Sequence, residues 1–227
     1  MNMLRRVSFS GIDQWTKPQE LQAIYQRWPF VEFVYLLTDN RKAGNRYPLP
    51  VILKAYRRLG LPMALHVCGK LAHDLVRTGD WSEINGMLGD SMALFDRIQL
   101  NVIRTVHFSR ELTFPEGKQI IIQLHEGTEA FFEHYCDHPQ VQGFQDGSGG
   151  RGIECREWME PMTEFFGYAG GIGPENAVEA VRAINKVCYV PFWIDMESSI
   201  RTNDKFDVKR CQQVLEALEQ AGLTPEN

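Results

Sequence analysis

Two hydrophobic periods alternate along this chain. Short apolar runs at 7–10, 31–37, 63–68, 97–102, 119–124, 141–146, 165–170 and 190–196 read as eight strands. Amphipathic patterns between and after them predict helices over 18–26, 49–59, 71–77, part of 82–95, 128–135, 158–163, 175–186 and 206–221. Strands alternating with helices build a parallel sheet with right-handed crossovers. The connection at 104–118 is the weakest of the series, because it is short and holds Pro115 and Gly117. The pattern predicts a (β/α)8 TIM barrel occupying residues 1–227 as one domain, close to the usual length of about 250 residues. A doubly wound open sheet is the alternative, but its glycine fingerprint would follow the first strand. Here the glycines follow the seventh.

That seventh unit carries the most chemical information. Phe166-Gly167-Tyr168-Ala169-Gly170-Gly171 runs from strand into a glycine pair, and Pro174-Glu175-Asn176 then opens a helix. Gly170 and Gly171 let backbone approach a ligand, and the first amides of the following helix face an anion. Ser198 and Ser199, after the eighth strand, would supply hydroxyls and amides from the other side of the same anion; alone, two serines are as readily a helix cap. Active sites of such barrels sit where the strands end. The residues found there are Ser10, Arg46, His66, Cys68, Asn101, His125, Asp146, the glycine pair and the run from Asp195 to Ser199.

Composition narrows the class. Apolar residues make up 44% and charged residues 23% of the chain, with no run near the roughly 20 residues of a membrane span. The N-terminus enters a strand without a secretory pattern, so a soluble cytoplasmic protein is expected. Five cysteines, unpaired in number and irregular in spacing, fit free thiols rather than a disulfide framework. A net charge of −5 argues against nonspecific nucleic-acid binding. His134, Cys136 and His138 do not share a helix face, and neither metal nor cofactor is implied. The five tryptophans are read as helix–sheet packing.

Gly170-Gly171-Ile172-Gly173-Pro174-Glu175-Asn176-Ala177 resembles the Gly-Gly-x-x-Pro-Glu-Asn-Val signature of the phosphoribosylanthranilate isomerases. These are (β/α)8 barrels of tryptophan biosynthesis. Asp195-Met196-Glu197-Ser198-Ser199-Ile200-Arg201 is similar to their Asp-Val-x-Ser-Gly-Val-Glu segment, without its glycine and glutamate. Asp146 followed by Gly149-Gly150-Arg151-Gly152 resembles the family's catalytic aspartate and its Gly-Gly-x-Gly loop. Asn45-Arg46-Tyr47 resembles a Ser-x-Arg-Tyr context, and Gln99-Leu100-Asn101 a Gln-Leu-His strand.

The resemblance implies an Amadori rearrangement, an aldose-to-ketose isomerisation of a phosphorylated small-molecule substrate. Asp146 would be the acid, Arg46 the partner of the anthranilate carboxylate, and Gly170, Gly171, Ser198 and Ser199 the phosphate site. The loop at 41–46 reads equally as a solvated basic loop. One departure stands out: the family's Lys-Ile-Cys-Gly-Ile is here Ser8-Phe9-Ser10-Gly11-Ile12, so a serine takes the place of the catalytic base. A hydroxyl is a poor base unless a neighbour takes its proton. His66, two residues before Cys68 on the same strand face, is the candidate replacement, although a hydrogen-bonded core histidine explains it as well. Loss of the isomerase chemistry with retention of phosphosugar binding, or a related isomerase or lyase reaction on another phosphosugar, are the alternatives. The oligomeric state is not legible.

Overall fold

The computed structural model describes residues 2–40, 44–102, 111–125, 127–146, 155 and 157–225. Eight parallel strands close on themselves in chain order: β1 (Leu4–Ser10), β2 (Val31–Leu37), β3 (Met63–Cys68), β4 (Phe95–Asn101), β5 (Gln119–Leu124), β6 (Val141–Asp146), β7 (Phe166–Ala169) and β8 (Phe192–Met196). β8 pairs with β1, with Ser8 opposite Asp195, and this seam completes the barrel. The helices are α1 (Pro18–Arg27), α2 (Leu53–Tyr56), α3 (Lys70–Thr78), α4 (Ser82–Leu88), α5 (Glu129–Tyr135), α6 (Ala177–Val187) and α7 (Val208–Gln220). Proline at the start of α1 and the Asp207 carboxylate, which accepts from the amides of Lys209 and Arg210, set two of their N-termini.

Two expected helices give way to other structure. Over 158–163 no helix forms, because Pro161 removes a backbone donor and side chains take over the pairing. Gln145 accepts from the Met159 amide at 3.0 Å, Thr163 accepts from the Gly143 amide at 2.9 Å, and Tyr168 donates to the Met159 carbonyl at 3.0 Å. Over 49–59, Pro50 starts a 3-10 turn (Pro50–Ile52), and only α2 follows it. Part of the weak connection falls in 103–110, outside the described residues, and its described part, 111–118, is not helical; 41–43 and the loop glycines Gly149, Gly150 and Gly152 also lie outside the described residues.

Strand side chains alternate between two cores. Val7, Phe9, Phe33, Tyr35, Leu65, Val67, Tyr168 and Ile194 face the helices. The opposite positions fill the barrel, and many are polar: Ser8, Ser10, Glu32, His66, Arg97, Gln99, Gln123, Gln142, Asp146 and Asp195 are all buried. Two register shifts aim arginines inward. Between Leu4 and Arg6 on β1, and between Phe95 and Arg97 opposite Met63 and Ala64, one residue is skipped in the pairing. The guanidinium of Arg97 donates to Glu32 at 2.7 Å and twice to Gln142 at 3.0 and 2.8 Å, and lies 4.0 Å over the Trp193 ring. Glu32 also accepts from Arg6 and from the Ser8 hydroxyl, each at 2.9 Å. Trp193 thus packs inside the barrel beneath a cation, not between helix and sheet as expected.

Removing one member of a buried ion pair leaves an uncompensated charge, which costs about 3–5 kcal/mol. Glu32→Gln is therefore expected to lower unfolding free energy by about that amount in urea titrations. Glu32→Gln with Arg97→Met is expected to recover part of the loss, whereas two additive losses would show that the residues act independently.

Candidate functional site at the carboxyl end of the barrel

The strands that carry Asp146, Gly170 and Asp195 are neighbours, and their carboxyl ends bring these residues to one place. A cavity of about 60 Å³ there is lined by His66, Gln123, Asp146, Gly170, Gly171, Asp195, Glu197, Ser198 and Ser199, among others. Eight of these, all but Gln123, stand among the strand-end residues that the sequence singles out. A larger concavity of about 910 Å³ opens at the amino-terminal mouth beside Arg6, Arg97 and Phe165. Its size would favour it, but its two guanidiniums are already engaged by Glu32 and Gln142, and barrel chemistry belongs to the opposite end.

The glycine-rich loop after β7 is held in shape by its neighbours. Gly170 and Gly171 take φ values of +120° and +65°, which favour glycine. Asn176 closes the turn at the start of α6, accepting from the Gly173 amide at 2.8 Å and donating to the Gly171 carbonyl at 3.0 Å. Across the gap, the Ser199 hydroxyl donates to the Ile172 carbonyl. Arg210 on α7 ties both sides together, donating to the Ser199 carbonyl and to Glu175, each at 2.6 Å. A Cβ on Gly173 would stand 2.6 Å from the Ser199 Cβ, so this approach requires glycine.

Ser10 is completely buried and does not line the cavity; it reaches the site through Asp195. Its hydroxyl donates to Asp195 Oδ1 at 2.6 Å across the β1–β8 seam. Burial pushes the Asp195 carboxyl well above the usual carboxylate range, the Ser10 bond pulls it partly back, and Glu197 and Asp146 push it up further. Asp146 is buried and accepts from the Gln123 amide at 3.1 Å. His66 lines the cavity as a neutral imidazole, because burial, with Arg97 nearby, drives its pKa down to about 3. So weak a base is poorly matched to proton abstraction at neutral pH. Cys68, beside Asn101, is held as a thiol by burial, which lifts it to about 12.

Arg46 sits at the edge of the mouth, already paired. It donates to Glu197 Oε1 at 2.5 Å and to Asp204 Oδ1 at 3.2 Å. The pairing with Glu197 and Asp204 spans 151 and 158 residues, which no local pattern in the sequence announces. The Ser10–Asp195 bond had a signal that was available: both residues end strands that must adjoin when the barrel closes, and alternation turns both inward. His134 faces Glu111 and His138 stacks on Phe114, so the two histidines serve different neighbours.

No protein-family model matches the chain. A curated relative, the N-(5'-phosphoribosyl)anthranilate isomerase of Oceanobacillus iheyensis, is 22% identical over 180 residues, spanning 73% of this chain and 82% of the relative. Among solved structures, the dimeric phosphoribosylanthranilate isomerase of Thermotoga maritima, in a monomeric form, matches with a TM-score of 0.58 at 15% identity. The enzyme of Pyrococcus furiosus matches with a TM-score of 0.53, also at 15% identity; each alignment covers 95% of this chain and 98% of the solved one. A phosphoribosylanthranilate isomerase in complex with reduced 1-(o-carboxyphenylamino)-1-deoxyribulose 5-phosphate matches with a TM-score of 0.52 at 14% identity. The chain is thus a closed (β/α)8 barrel that resembles the phosphoribosylanthranilate isomerases in sequence over most of its length and in fold over nearly all of it.

Proposed function

We propose that this barrel isomerises a phosphoribosyl-amine by an Amadori rearrangement at the carboxyl end of its strands. The observation that carries the reading is a pair of buried carboxyls, Asp146 on β6 and Asp195 on β8, lining one cavity with the β7 and β8 loops. An aldose–ketose isomerisation needs an acid and a base on one sugar, and two carboxyls in different environments divide those roles. The similarity to phosphoribosylanthranilate isomerases supports the same reaction class.

In this mechanism Asp146 donates a proton to the ribose ring oxygen, and the ring opens as the nitrogen lone pair forms a protonated imine at carbon one. Asp195 then takes the proton from carbon two, and the electron pair moves to give an enolamine. Carbon one is protonated as the oxygen on carbon two loses its proton, leaving the ketone. Burial makes Asp195 a stronger base than an exposed aspartate. Ser10 acts as a positioning residue: its hydroxyl fixes the carboxylate and stabilises its charged form. Ser10 keeps its proton, and the role of base passes to Asp195. The phosphate is held between Gly170-Gly171 and Ser198-Ser199, with Arg46 the candidate partner for an aglycone carboxylate. No helix among the described residues is long and apolar enough to cross a membrane. Five cysteines of irregular spacing suit a reducing, cytoplasmic setting.

The direct test follows the disappearance of fluorescence from freshly generated phosphoribosylanthranilate. Asp146→Asn and Asp195→Asn are each expected to lower kcat by about 10²-fold or more, the usual worth of a positioned acid or base. Wild-type protein that binds phosphate without turnover would instead support a binding barrel that has lost its chemistry. The pH dependence has a definite sign. Asp195 acts when deprotonated, so kcat/KM rises with pH through its pKa. Ser10→Ala removes the bond that lowers that pKa, so the acid limb is expected to move to higher pH. An unmoved limb would remove Ser10 from any role at Asp195. For the phosphate site, Gly173→Ala is expected to weaken inorganic phosphate by about tenfold or more in calorimetric titration, since displaced loops lose a bond to a charged group.

A further inference from the structure

Each Nη nitrogen of Arg46 already holds a carboxylate in the geometry observed. Nη1 holds Glu197 and Nη2 holds Asp204, so two carboxylates share one guanidinium. Asp204 reaches Arg46 from the turn of a small hairpin, β9 (Arg201–Thr202) and β10 (Lys205–Phe206), where Asn203 and Asp204 both take left-handed φ values of 53° and 56°. Glu197 reaches it from the end of β8 and forms part of the wall of the cavity that holds Asp146 and Asp195. Arg46 is the cation the sequence offers for an aglycone carboxylate, yet its surroundings are already acidic.

We propose that Glu197 is a specificity-determining residue: it occupies Arg46 as an internal carboxylate, so that a carboxylate-bearing aglycone must compete with it for the guanidinium. The site as built therefore disfavours anthranilate-like aglycones relative to ones without a carboxylate. This rests on the aldose–ketose reading of the mouth and deepens it by naming the aglycone class. Charge supports it. An incoming carboxylate would add to Asp195 and Glu197 around the same opening, and like charges close together in a low-dielectric site are costly. Displacement is also physically accessible. Burial lifts the Glu197 carboxyl above its ordinary range despite Arg46, so moving this group toward water relieves a desolvation cost.

Free anthranilate, followed by its own fluorescence in equilibrium titration, is the probe, because its binding requires no turnover. Glu197→Gln, which keeps the shape, and Glu197→Ala, which empties the position, are each expected to bind anthranilate at least tenfold more tightly than the wild type. Adding Arg46→Gln to either is expected to abolish the gain. If the isomerase is active, KM for phosphoribosylanthranilate is expected to fall in Glu197→Gln by a similar factor. Unchanged anthranilate affinity in folded Glu197→Gln and Glu197→Ala, checked by circular dichroism, would overturn the inference, and so would a gain that survives Arg46→Gln. Absence of turnover in every variant would count against the isomerase reading, while the binding comparison would still decide the role of Glu197.

Discussion

The buried contact between Arg97 and Glu32 is the constraint on which the barrel interior depends. A barrel of eight strands is just wide enough to be filled by side chains, and here its lower layer is filled by charge. Arg6, Arg97, Glu32, Ser8 and Gln142 satisfy one another, with Trp193 closing the layer beneath the cation. The arrangement favours a single register, since slipping one strand would leave buried charges without partners. It also sets the field beneath the upper mouth, where nearby Arg97 helps keep His66 neutral and the carboxyls of Asp195 and Asp146 lie one and two inward positions higher along their strands.

From that floor the interior becomes a site by continuing the same alternation. On β1 the inward series runs Arg6, Ser8, Ser10; on β8 it runs Trp193, Asp195, Glu197; on β6 it runs Gln142, Phe144, Asp146. The upper members, Ser10, Asp195 and Asp146, are the ones the proposed mechanism uses. Asp195 gains basicity from burial and orientation from Ser10, and Asp146 stands two strands away in the same cavity. The loops above β7 and β8 are locked together by Ser199, Asn176 and Arg210, so the backbone that would meet a phosphate is set in advance of binding.

The legible and illegible parts of the sequence separate along the range of the interactions. The eight strands were legible because their periodicity is local, and the loop after β7 because glycine at positive φ and a proline before a helix leave a local mark. The seeming helix at 158–163 misled because its apolar spacing resembled a helix while Pro161 and the side chains of Gln145 and Thr163 diverted its backbone bonds. Arg6 and Arg97 were not legible as interior residues, since each stands just after a skipped position at the irregular start of its strand. Asp195 stood among the strand-end residues from the start, but its bond to Ser10 exists only once β8 meets β1. Arg46 was legible as a cation near the mouth, and its two carboxylate partners were not, because they arrive from the far end of the chain.

The proposed site is a single mouth, with a phosphate between two loops and a sugar between two carboxyls. A crystal structure of this protein with reduced 1-(o-carboxyphenylamino)-1-deoxyribulose 5-phosphate measures it most directly. The account predicts the phosphate against Gly171 and Ser199, and the sugar carbons within hydrogen-bonding reach of both Asp146 and Asp195. A phosphate seated instead beside Arg6 and Arg97 at the amino-terminal mouth, or a sugar out of reach of Asp195, would contradict it.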